Sequence, residues 1–564
     1  MVVLRVRLRL EVKMLEGFVP FPKEFIDRYR KDGYWEDRPL REEYAVRFKK
    51  FSDSIALVDG DIEWTYQDLD VKSDNLALNL LDMGIKPLDR IVPQLPNIKE
   101  FPLLYLALQK LGCIPIASLV SHRYAEISQF VSLSGATACV VPDKAKDFDF
   151  IDMAKRIKSE KNKLEHIIVF GEAPSGTHSL DELINRPASR AKQDLTSINI
   201  DPLDPAVFQL SGGTTGIPKL IPRTHNDYAY NSKQATEVTE VDENSVLLLV
   251  LPIAHNLPLA CPGLQGFLFK GGKVVLSTSS KGRDVFSLVE KHGVTHIHVV
   301  PALLIGWIND PEIGKFDLSS LKMIQSGGQR LQPQVRLKTK ELIPSVFVQE
   351  NFGMSEGVIM FVRKGDPEEV LLETSGRPVS PADEIRIVDE NDKEVKRGEV
   401  GEFCVRGPYT LRGYFGTPEH NKKAFTTDGF YRSGDLMRQH PSGNYIVEGR
   451  IKDLINRGGE KISAEEVENL ILQHPKIKNI ACVPMPDERL GERMCAYVIL
   501  QGNQKITLDE LVSFLQEREI AKFKLPERLE VLEEFPISTF GKVSKKSLTE
   551  EISKKISEER GSSK

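Results

Sequence analysis

The segment Gln209-Leu-Ser-Gly-Gly-Thr-Thr-Gly-Ile-Pro-Lys219 concentrates the residue types that bind phosphate. Glycines let a backbone approach a polyphosphate closely, hydroxyls and free N–H groups donate to its oxygens, and a lysine supplies positive charge. The residues that we expect to contact phosphate are Ser211, Gly212, Gly213, Thr214, Thr215, Gly216 and Lys219. The Walker A spacing cannot be matched here, and no helical pattern follows directly. A hairpin turn would explain the glycines but not three hydroxyl residues together with a lysine, so the segment predicts a phosphate-binding loop.

The composition excludes several other classes of protein. The 564 residues include 76 Lys and Arg against 81 Asp and Glu, a net charge of −5, with 40% hydrophobic and 28% charged residues. These values are typical of soluble globular proteins and exclude disordered and collagen-like chains. Because Lys and Arg neutralise phosphates in nucleic-acid complexes, a weakly acidic chain is not expected to bind nucleic acid. No apolar run approaches the roughly 20 residues of a membrane span, so no membrane partner is expected either.

The six cysteines are scattered, without a Cys-x-x-Cys pair or a histidine cluster at metal-ligand spacing. Such scattering indicates reduced thiols rather than a disulfide framework or a zinc site. The sequence therefore predicts a cytoplasmic protein.

The elements that must position the phosphate loop follow a repeating pattern from about residue 50 to 380. Each repeat has a helical pattern, such as Ser73 to Met83, then a glycine or proline, and then a short run of β-branched residues. Helices that alternate with strands in this way predict an α/β fold of layered subdomains with largely parallel sheets. After Gly449 the pattern changes to a compact α+β unit, whose charged end from Lys554 is expected to fray. We therefore expect a dispensable N-terminal extension over 1–13, a large domain over 14–449, a hinge over 450–452 and a small mobile C-terminal domain over 453–564.

Five further segments carry a family resemblance. They are Ser326-Gly-Gly-Gln329, Phe352-Gly-Met-Ser-Glu356, Tyr431-Arg-Ser-Gly-Asp435, Gly449 to Lys461 and Pro536-Ile-Ser-Thr-Phe-Gly-Lys-Val543. Together with the phosphate loop, these segments occur in the same order as the signature motifs of adenylate-forming enzymes. The chain thus resembles the superfamily of acyl-CoA synthetases, luciferases and adenylation domains. The resemblance covers Gln209 to Val543 and implies condensation of a carboxylic acid with ATP.

The resemblance also implies roles for individual residues. Lys542 would be the catalytic residue, reaching from the small domain to the carboxylate and the α-phosphate, where charge builds in the transition state. Glu356, helped by Thr215, would ligate Mg²⁺, a hard ion that prefers oxygen ligands. Lys452 would be the hinge. The residues implied for the nucleoside are Gly327, Gly328, Gln329, Asn351 and Phe352 at the adenine, and Asp435 and Arg450 at the ribose. Without the context of these motifs, Lys542 would be interpreted as one more surface lysine and Asp435 as a turn residue.

The segment from Ile253 to Gly263 indicates the substrate class. It contains no acidic residue to pair with an α-ammonium group, so an amino acid substrate is not expected. The sequence of this segment resembles that of the aryl-acid ligases that activate 2,3-dihydroxybenzoate or salicylate in siderophore biosynthesis. The resemblance implies that His255 and Asn256 line the substrate pocket and that Asn256 hydrogen-bonds the ortho-hydroxyl of the acid. Cys261 replaces the serine of the dihydroxybenzoate group, and Ile359 replaces a smaller valine. Because a thiol pairs weakly and isoleucine takes up volume, both changes favour salicylate over 2,3-dihydroxybenzoate.

The expected reaction has two halves. An aryl acid and ATP with Mg²⁺ give aryl-AMP and pyrophosphate, and a thiol then attacks the adenylate. In the resembled group, that thiol is the phosphopantetheine arm of an aryl carrier protein, and because no carrier segment is evident in this chain, a separate carrier is expected as partner. An aryl- or acyl-CoA synthetase is the alternative enzyme. A non-catalytic nucleotide-binding scaffold would predict damaged motifs, and they are intact.

Overall fold

The computed structural model describes residues 14–145, 148–161, 163–211, 219–458, 460–518, 520–537 and 543–562. The predicted extension, residues 1–13, lies outside the described residues, as do residues 212–218 of the phosphate loop and Lys542. Among the helices described, none is long and apolar enough to span a membrane.

Helices and strands alternate over the larger part of the chain, as the pattern predicts. The predicted Ser73–Met83 helix lies, except for Met83, which is the C-cap, within a longer helix that ends at Asp82. That helix begins at a capping box: Thr65 Oγ1 accepts from Asp68 N at 3.0 Å, and Asp68 Oδ2 accepts from Thr65 N at 2.9 Å. The helices are α1 Lys23–Lys31, α2 Leu40–Lys50, α3 Tyr66–Asp82, α4 Glu100–Leu111, α5 Tyr124–Ser134, α6 Phe150–Glu160, α7 Leu180–Asn185, α8 Lys192–Ser197, α9 His225–Val238, α10 Asn256–Ala260, α11 Gly263–Lys270, α12 Gly282–His292, α13 Pro301–Ile308, α14 Pro333–Leu342, α15 Glu368–Glu373, α16 Pro418–Ala424, α17 Ala464–Ile471, α18 Leu508–Gln516 and α19 Lys545–Ser562.

A nine-stranded sheet forms the centre of the large part of the chain. Its strands are β1 Ile55–Asp59, β2 Ile62–Thr65, β12 Val246–Leu249, β13 Lys273–Leu276, β14 His296–Val299, β15 Met323–Gly327, β16 Phe347–Met354, β17 Gly357–Phe361 and β18 Arg377–Pro378, in the order β18-β17-β16-β15-β14-β12-β13-β1-β2. The inner pairs from β1 to β16 are parallel, and β2, β17 and β18 pair antiparallel. Parallel strands end at one edge, where ligands bind in such sheets.

A second, five-stranded sheet is entirely parallel, with the order β4-β3-β5-β8-β9. Its strands are β3 Arg90–Pro93, β4 Ile114–Pro115, β5 Ala138–Pro142, β8 His166–Phe170 and β9 His178–Ser179, beside the short pair β6 Lys144–Ala145 and β7 Phe148–Asp149. One buried apolar cluster joins both sheets through a shared helix layer, with Val140 of β5, Leu104 of α4, Leu268 of α11 and Leu247 of β12 among its members. The predicted α/β layers with largely parallel sheets are confirmed.

Two antiparallel units complete the large part. Strands β10 Pro205–Leu210 and β11 Leu220–Thr224 form the hairpin that flanks the predicted phosphate loop. A four-stranded antiparallel sheet contains β19 Glu384–Val388, β20 Gly401–Arg406, β21 Tyr431–Gln439 and β22 Tyr445–Arg450.

The C-terminal part has a sheet and an apolar core of its own. Its strands are β23 Leu454–Arg457, β24 Glu460–Ser463, β25 Ile477–Asp487, β26 Gly491–Leu500 and β27 Arg528–Val531. The expectation that the chain frays from Lys554 is wrong for the described residues: α19 continues to Ser562, and Ile556 of that helix packs, partly buried, against the cluster that contains Tyr497 of the sheet. The exact boundaries at 449 and 453 stay a prediction.

Candidate active site

The hairpin β10–β11 holds the two ends of the predicted phosphate loop together. Ser211 N donates to Lys219 O at 3.0 Å, and Lys219 N donates to Ser211 Oγ at 2.9 Å. The side chain of Lys219 then extends over Tyr414, with Nζ 5.7 Å from the ring centroid. The remaining predicted phosphate ligands, Gly212, Gly213, Thr214, Thr215 and Gly216, lie outside the described residues.

The predicted adenine residues meet at the carboxyl ends of β15 and β16. Gly327 pairs with Asn351 in parallel register, and a Cβ on Gly327 would lie 1.9 Å from Asn351 Oδ1, so a larger residue there would displace the Asn351 side chain. Gly328 has a φ of +88°, and Gln329 is exposed. Phe352 is half-buried, with its ring 6.0 Å from that of Phe403. Among the described residues, the buried Asn351 Nδ2 has no hydrogen-bond partner, which leaves a donor at this edge.

Glu356 lies in the turn between β16 and β17 and is buried. Its Oε1 accepts from the Tyr414 hydroxyl at 2.8 Å, and the hydroxyls of Tyr414 and Tyr431 are 2.9 Å apart. Burial raises the pKa of Glu356, because desolvation disfavours the charged form. A cation beside such a buried carboxylate would stabilise its charged form. Tyr414 was missed by sequence reasoning, because no motif that we recognised contains it.

Asp435 and Arg450 face each other across β21 and β22. Arg450 Nε donates to Asp435 Oδ1 at 2.6 Å, and Nη2 donates to Oδ2 at 3.3 Å. Although burial acts to lower it, the charge of Asp435 raises the pKa of Arg450. The two predicted ribose residues therefore form one ion pair, and Ser433 Oγ accepts from the Asp435 backbone N at 2.9 Å.

The predicted hinge residue lies beside this pair. Lys452 is exposed in a 3₁₀ turn, Ile451–Asp453. Partial burial and then the charge of Arg450 lower the pKa of Lys452, with a smaller contribution from Lys219. Lys219, the pair Asp435–Arg450 and Lys452 thus share one electrostatic environment.

Of the four predicted substrate residues, His255 and Asn256 lie at the start of α10, Cys261 follows its end, and Ile359 lies in β17. His255 is the N-cap residue, and the side chain of Asn256 is buried and held at both ends. Asn256 Oδ1 accepts from the Tyr228 hydroxyl at 3.0 Å, and Asn256 Nδ2 donates to Cys261 Sγ at 3.3 Å. Burial raises the pKa of the Cys261 thiol to about 11, so it stays protonated at neutral pH. The Tyr228 hydroxyl also accepts from Gln209 Nε2 at 3.0 Å, which connects Asn256 to strand β10, ahead of the predicted phosphate loop.

Further residues of α9 and of the segment 21–35 pack around the predicted substrate residues. Asn231 Nδ2 donates to Ala260 O at 2.7 Å and to Cys261 Sγ at 3.4 Å. Ile359 and Cys261 belong to one buried cluster, together with Phe21, Tyr29, Trp35, Tyr230, Ala235, Phe361, Val379 and Tyr409. Sequence reasoning missed Tyr228 and Asn231. The signal that could have found them is their spacing of three residues, which places two polar side chains on one face of an otherwise buried helix.

Comparison with known proteins defines the class. The AMP-binding enzyme family matches residues 44–415, and the AMP-binding enzyme C-terminal domain matches residues 466–542. The chain therefore belongs to the AMP-binding enzyme family and is an ATP-using, adenylate-forming ligase.

Particular relatives agree with the resemblance to aryl-acid ligases. The 2,3-dihydroxybenzoate-AMP ligase of Bacillus subtilis (strain 168) is 44% identical over 543 residues, which cover 96% of this chain and 99% of that protein. The salicyl-AMP ligase / salicyl-S-ArCP synthetase of Mycobacterium tuberculosis (strain ATCC 25618 / H37Rv) is 40% identical over 95% of each chain. The apo structure of Mycobacterium smegmatis MbtA superposes with a TM-score of 0.72 at 39% identity, covering 95% of this chain and 98% of that one. The predicted fold, family and ligase activity are confirmed.

Proposed function

We propose that the chain activates a 2-hydroxybenzoate with ATP, giving aryl-AMP and pyrophosphate, and transfers the aryl group to the phosphopantetheine thiol of a separate aryl carrier protein. The observation that carries this proposal is the buried Asn256 amide, held between Tyr228 and Cys261. An amide in a pocket whose segment lacks acidic residues recognises a neutral hydroxyl rather than an ammonium group. The names of the relatives, which act on dihydroxybenzoate and salicylate, support the same class.

In the first half-reaction, a carboxylate oxygen of the acid attacks the α-phosphorus. The bond from that phosphorus to the bridging oxygen breaks, and pyrophosphate leaves with the electron pair. Lys219 and Lys542 are proposed to screen the like charges, and Asp435 and Arg450 to hold the ribose, so that attack is in line. Asn351 and Gly327 would form the adenine wall with Gly328, Gln329 and Phe352.

Mg²⁺ fits the carboxylate of Glu356. That side chain is buried, and Tyr414 contacts its Oε1, so a hard cation can stabilise the charged form. Thr215 is proposed as a second oxygen ligand. When bound, the ion would supply Lewis-acid stabilisation of phosphate charge.

The pocket favours salicylate over 2,3-dihydroxybenzoate in this proposal. Cys261 Sγ already accepts from Asn256 and Asn231, so it is a poor partner for a second ring hydroxyl. Leaving a buried hydroxyl badly paired costs about 1–3 kcal/mol. Ile359 adds bulk in the same cluster.

In the second half-reaction, the sulfur of the carrier thiol attacks the carbonyl carbon of aryl-AMP and loses its proton to solvent. The bond from that carbon to the phosphate oxygen breaks, and AMP leaves with the electron pair. We propose that rotation about Lys452 withdraws Lys542 and brings the segment 458–461 towards the site. All six cysteines are free and buried, which supports placing this chemistry in the cytoplasm.

ATP–pyrophosphate exchange with purified protein tests the first half. Salicylate, 2,3-dihydroxybenzoate, benzoate and an amino acid mixture are offered in parallel, and we expect exchange to be fastest with salicylate. If 2,3-dihydroxybenzoate is faster, the preference is wrong but the activity holds. Absence of exchange with every aryl acid would overturn the proposal.

The acceptor needs a separate assay. Loading of a phosphopantetheinylated aryl carrier protein is compared with formation of aryl-CoA from free CoA under the same conditions. Preferential carrier loading supports the proposal, whereas preferential use of CoA would make the chain an aryl-CoA synthetase.

A further inference from the structure

Tyr409 connects two segments behind the proposed aryl pocket. It is fully buried, and its hydroxyl accepts from the backbone N of Ile359 at 3.2 Å while donating to Asp383 Oδ2 at 2.6 Å. On the other side, the Ile359 carbonyl accepts from Val379 N at 2.9 Å. Both backbone groups of this pocket residue are therefore held, and one of them is held by a side chain.

Asp383 is itself fixed in place. Its Oδ1 packs so closely on Gly407 that a Cβ there would lie 2.3 Å away, and among the described residues this buried oxygen has no hydrogen-bond partner. The Asp383 carboxyl therefore lies close against the Gly407 backbone, and Tyr409 donates its side-chain hydrogen bond. Burial raises the pKa of Asp383 to about 8.

Residues that precede the AMP-binding family match also contact the backbone next to Tyr409. Trp35 Nε1 donates to the carbonyl of Pro408, the residue before Tyr409, at 3.0 Å. The Trp35 ring packs edge-on against Phe21 and Tyr29, with ring centroids 4.9 Å and 5.2 Å apart. Residues before 44, where the family match begins, thus hold the backbone beside Tyr409.

We infer that Tyr409 and Asp383 are positioning residues that fix the β17 backbone at Ile359 and thereby set how much room the pocket leaves for ring substituents. The inference rests on the proposed function, since it concerns the same pocket. Isoleucine is stiff at χ1, so its side chain follows its backbone. A hydrophobic pocket distinguishes ligands that differ by one small group by roughly 10- to 200-fold, and this depends on the wall staying in place.

The test is steady-state kinetics of pyrophosphate exchange with Tyr409→Phe. The variant keeps the ring and loses both hydrogen bonds, so we expect the KM for salicylate to rise about tenfold and the preference for salicylate over 2,3-dihydroxybenzoate to shrink. The KM for ATP should stay unchanged, because Ile359 belongs to the aryl cluster. Tyr66→Phe is the matched control, since Tyr66 is buried and donates one hydrogen bond, to Gly272 O at 2.7 Å, outside this pocket.

A second pair of variants tests the inference independently if Tyr409→Phe does not fold. Asp383→Asn keeps an oxygen acceptor for the tyrosine and should retain the wild-type selectivity, whereas Asp383→Ala should reduce it. If Tyr409→Phe and Asp383→Ala keep the wild-type KM and selectivity, the inference is overturned. If the wild-type protein shows no exchange with aryl acids, the proposed function itself fails, and the two failures are distinguishable.

Discussion

Asn256 donates its side-chain N–H to the sulfur of Cys261 at 3.3 Å, so two residues that the sequence assigned separate roles form one hydrogen-bonded pair. The thiol therefore orients the amide that is proposed to recognise the substrate. Because the pair is coupled, a change at Cys261 should also alter the contact of Asn256 with the ortho-hydroxyl.

Cys261→Ser should shift the substrate preference. A serine hydroxyl is a stronger donor and acceptor than a thiol, so we expect the ratio of kcat/KM for 2,3-dihydroxybenzoate to that for salicylate to rise about tenfold. Pyrophosphate exchange with each acid measures this ratio. Cys404→Ser, at a buried cysteine of the antiparallel sheet, is the control. An unchanged ratio would contradict the role of Cys261 in selectivity.

Tyr228→Phe should weaken binding of the aryl acid. The variant removes the donor to Asn256 Oδ1 and the acceptor of Gln209, so the amide can turn. We expect the KM for salicylate to increase about tenfold while the KM for ATP changes little. Both values come from exchange assays with one substrate varied at a time. A rise in the KM for ATP alone would show that Tyr228 acts through the phosphate loop instead.

Tyr414→Phe should weaken the use of Mg²⁺ and move the pH profile. The Tyr414 hydrogen bond lowers the pKa of Glu356 against the effect of burial, so its loss raises that pKa further. Less of the carboxylate is then charged at a given pH, and the acidic limb of the activity profile should move to higher pH. Exchange rates are measured against Mg²⁺ concentration and against pH. Tyr445→Phe, in the same buried cluster as Tyr414, is the control, and matching profiles for all three proteins would exclude this role.

Asp383→Asn should change how stability depends on pH. The pKa of Asp383 is raised to about 8 by burial, against roughly 4 in an unfolded chain. Between these values the folded protein keeps a proton that the unfolded chain has lost, so this group's contribution to stability falls as pH rises from about 4 to about 8.

Thermal unfolding at about pH 5 and about pH 9 checks this, since the asparagine variant should gain Tm relative to wild type as the pH rises. Asp317→Asn is the control, because the pKa of Asp317 is lowered by its hydrogen bonds with Ser319, and its effect should be constant over this range. An Asp383→Asn difference that does not vary with pH would refute the assignment.

Lys452→Pro should separate the two half-reactions. Proline restricts the backbone at the proposed hinge, so pyrophosphate exchange should be retained while carrier loading falls at least about tenfold. Exchange and carrier loading are measured on the same preparation, with Lys452→Ala as the control for loss of the charge alone. Full carrier loading by the proline variant would rule out rotation about this residue.

The α/β fold and the family were predictable from the sequence, and the candidate site residues stay predictions drawn from the same local information. Glycine-rich turns such as Ser326 to Gln329 and charged motifs such as Tyr431 to Asp435 carry their geometry within a few residues. The absence of an acid from Ile253 to Gly263 also needed no structure. Even so, the expected fraying from Lys554 is wrong, because the charged surface of α19 obscures Ile556, which packs against the sheet.

The tertiary structure alone decided which side chains hold these residues. Tyr414 reaches Glu356 across 58 positions, Tyr228 reaches Asn256 across 28, and Tyr409 reaches Ile359 across 50. Each partner is a buried tyrosine whose sequence context indicates only an aromatic core residue. Periodicity reports which face of an element is buried but not what faces it, because that depends on how distant segments pack, and packing is a property of the whole chain.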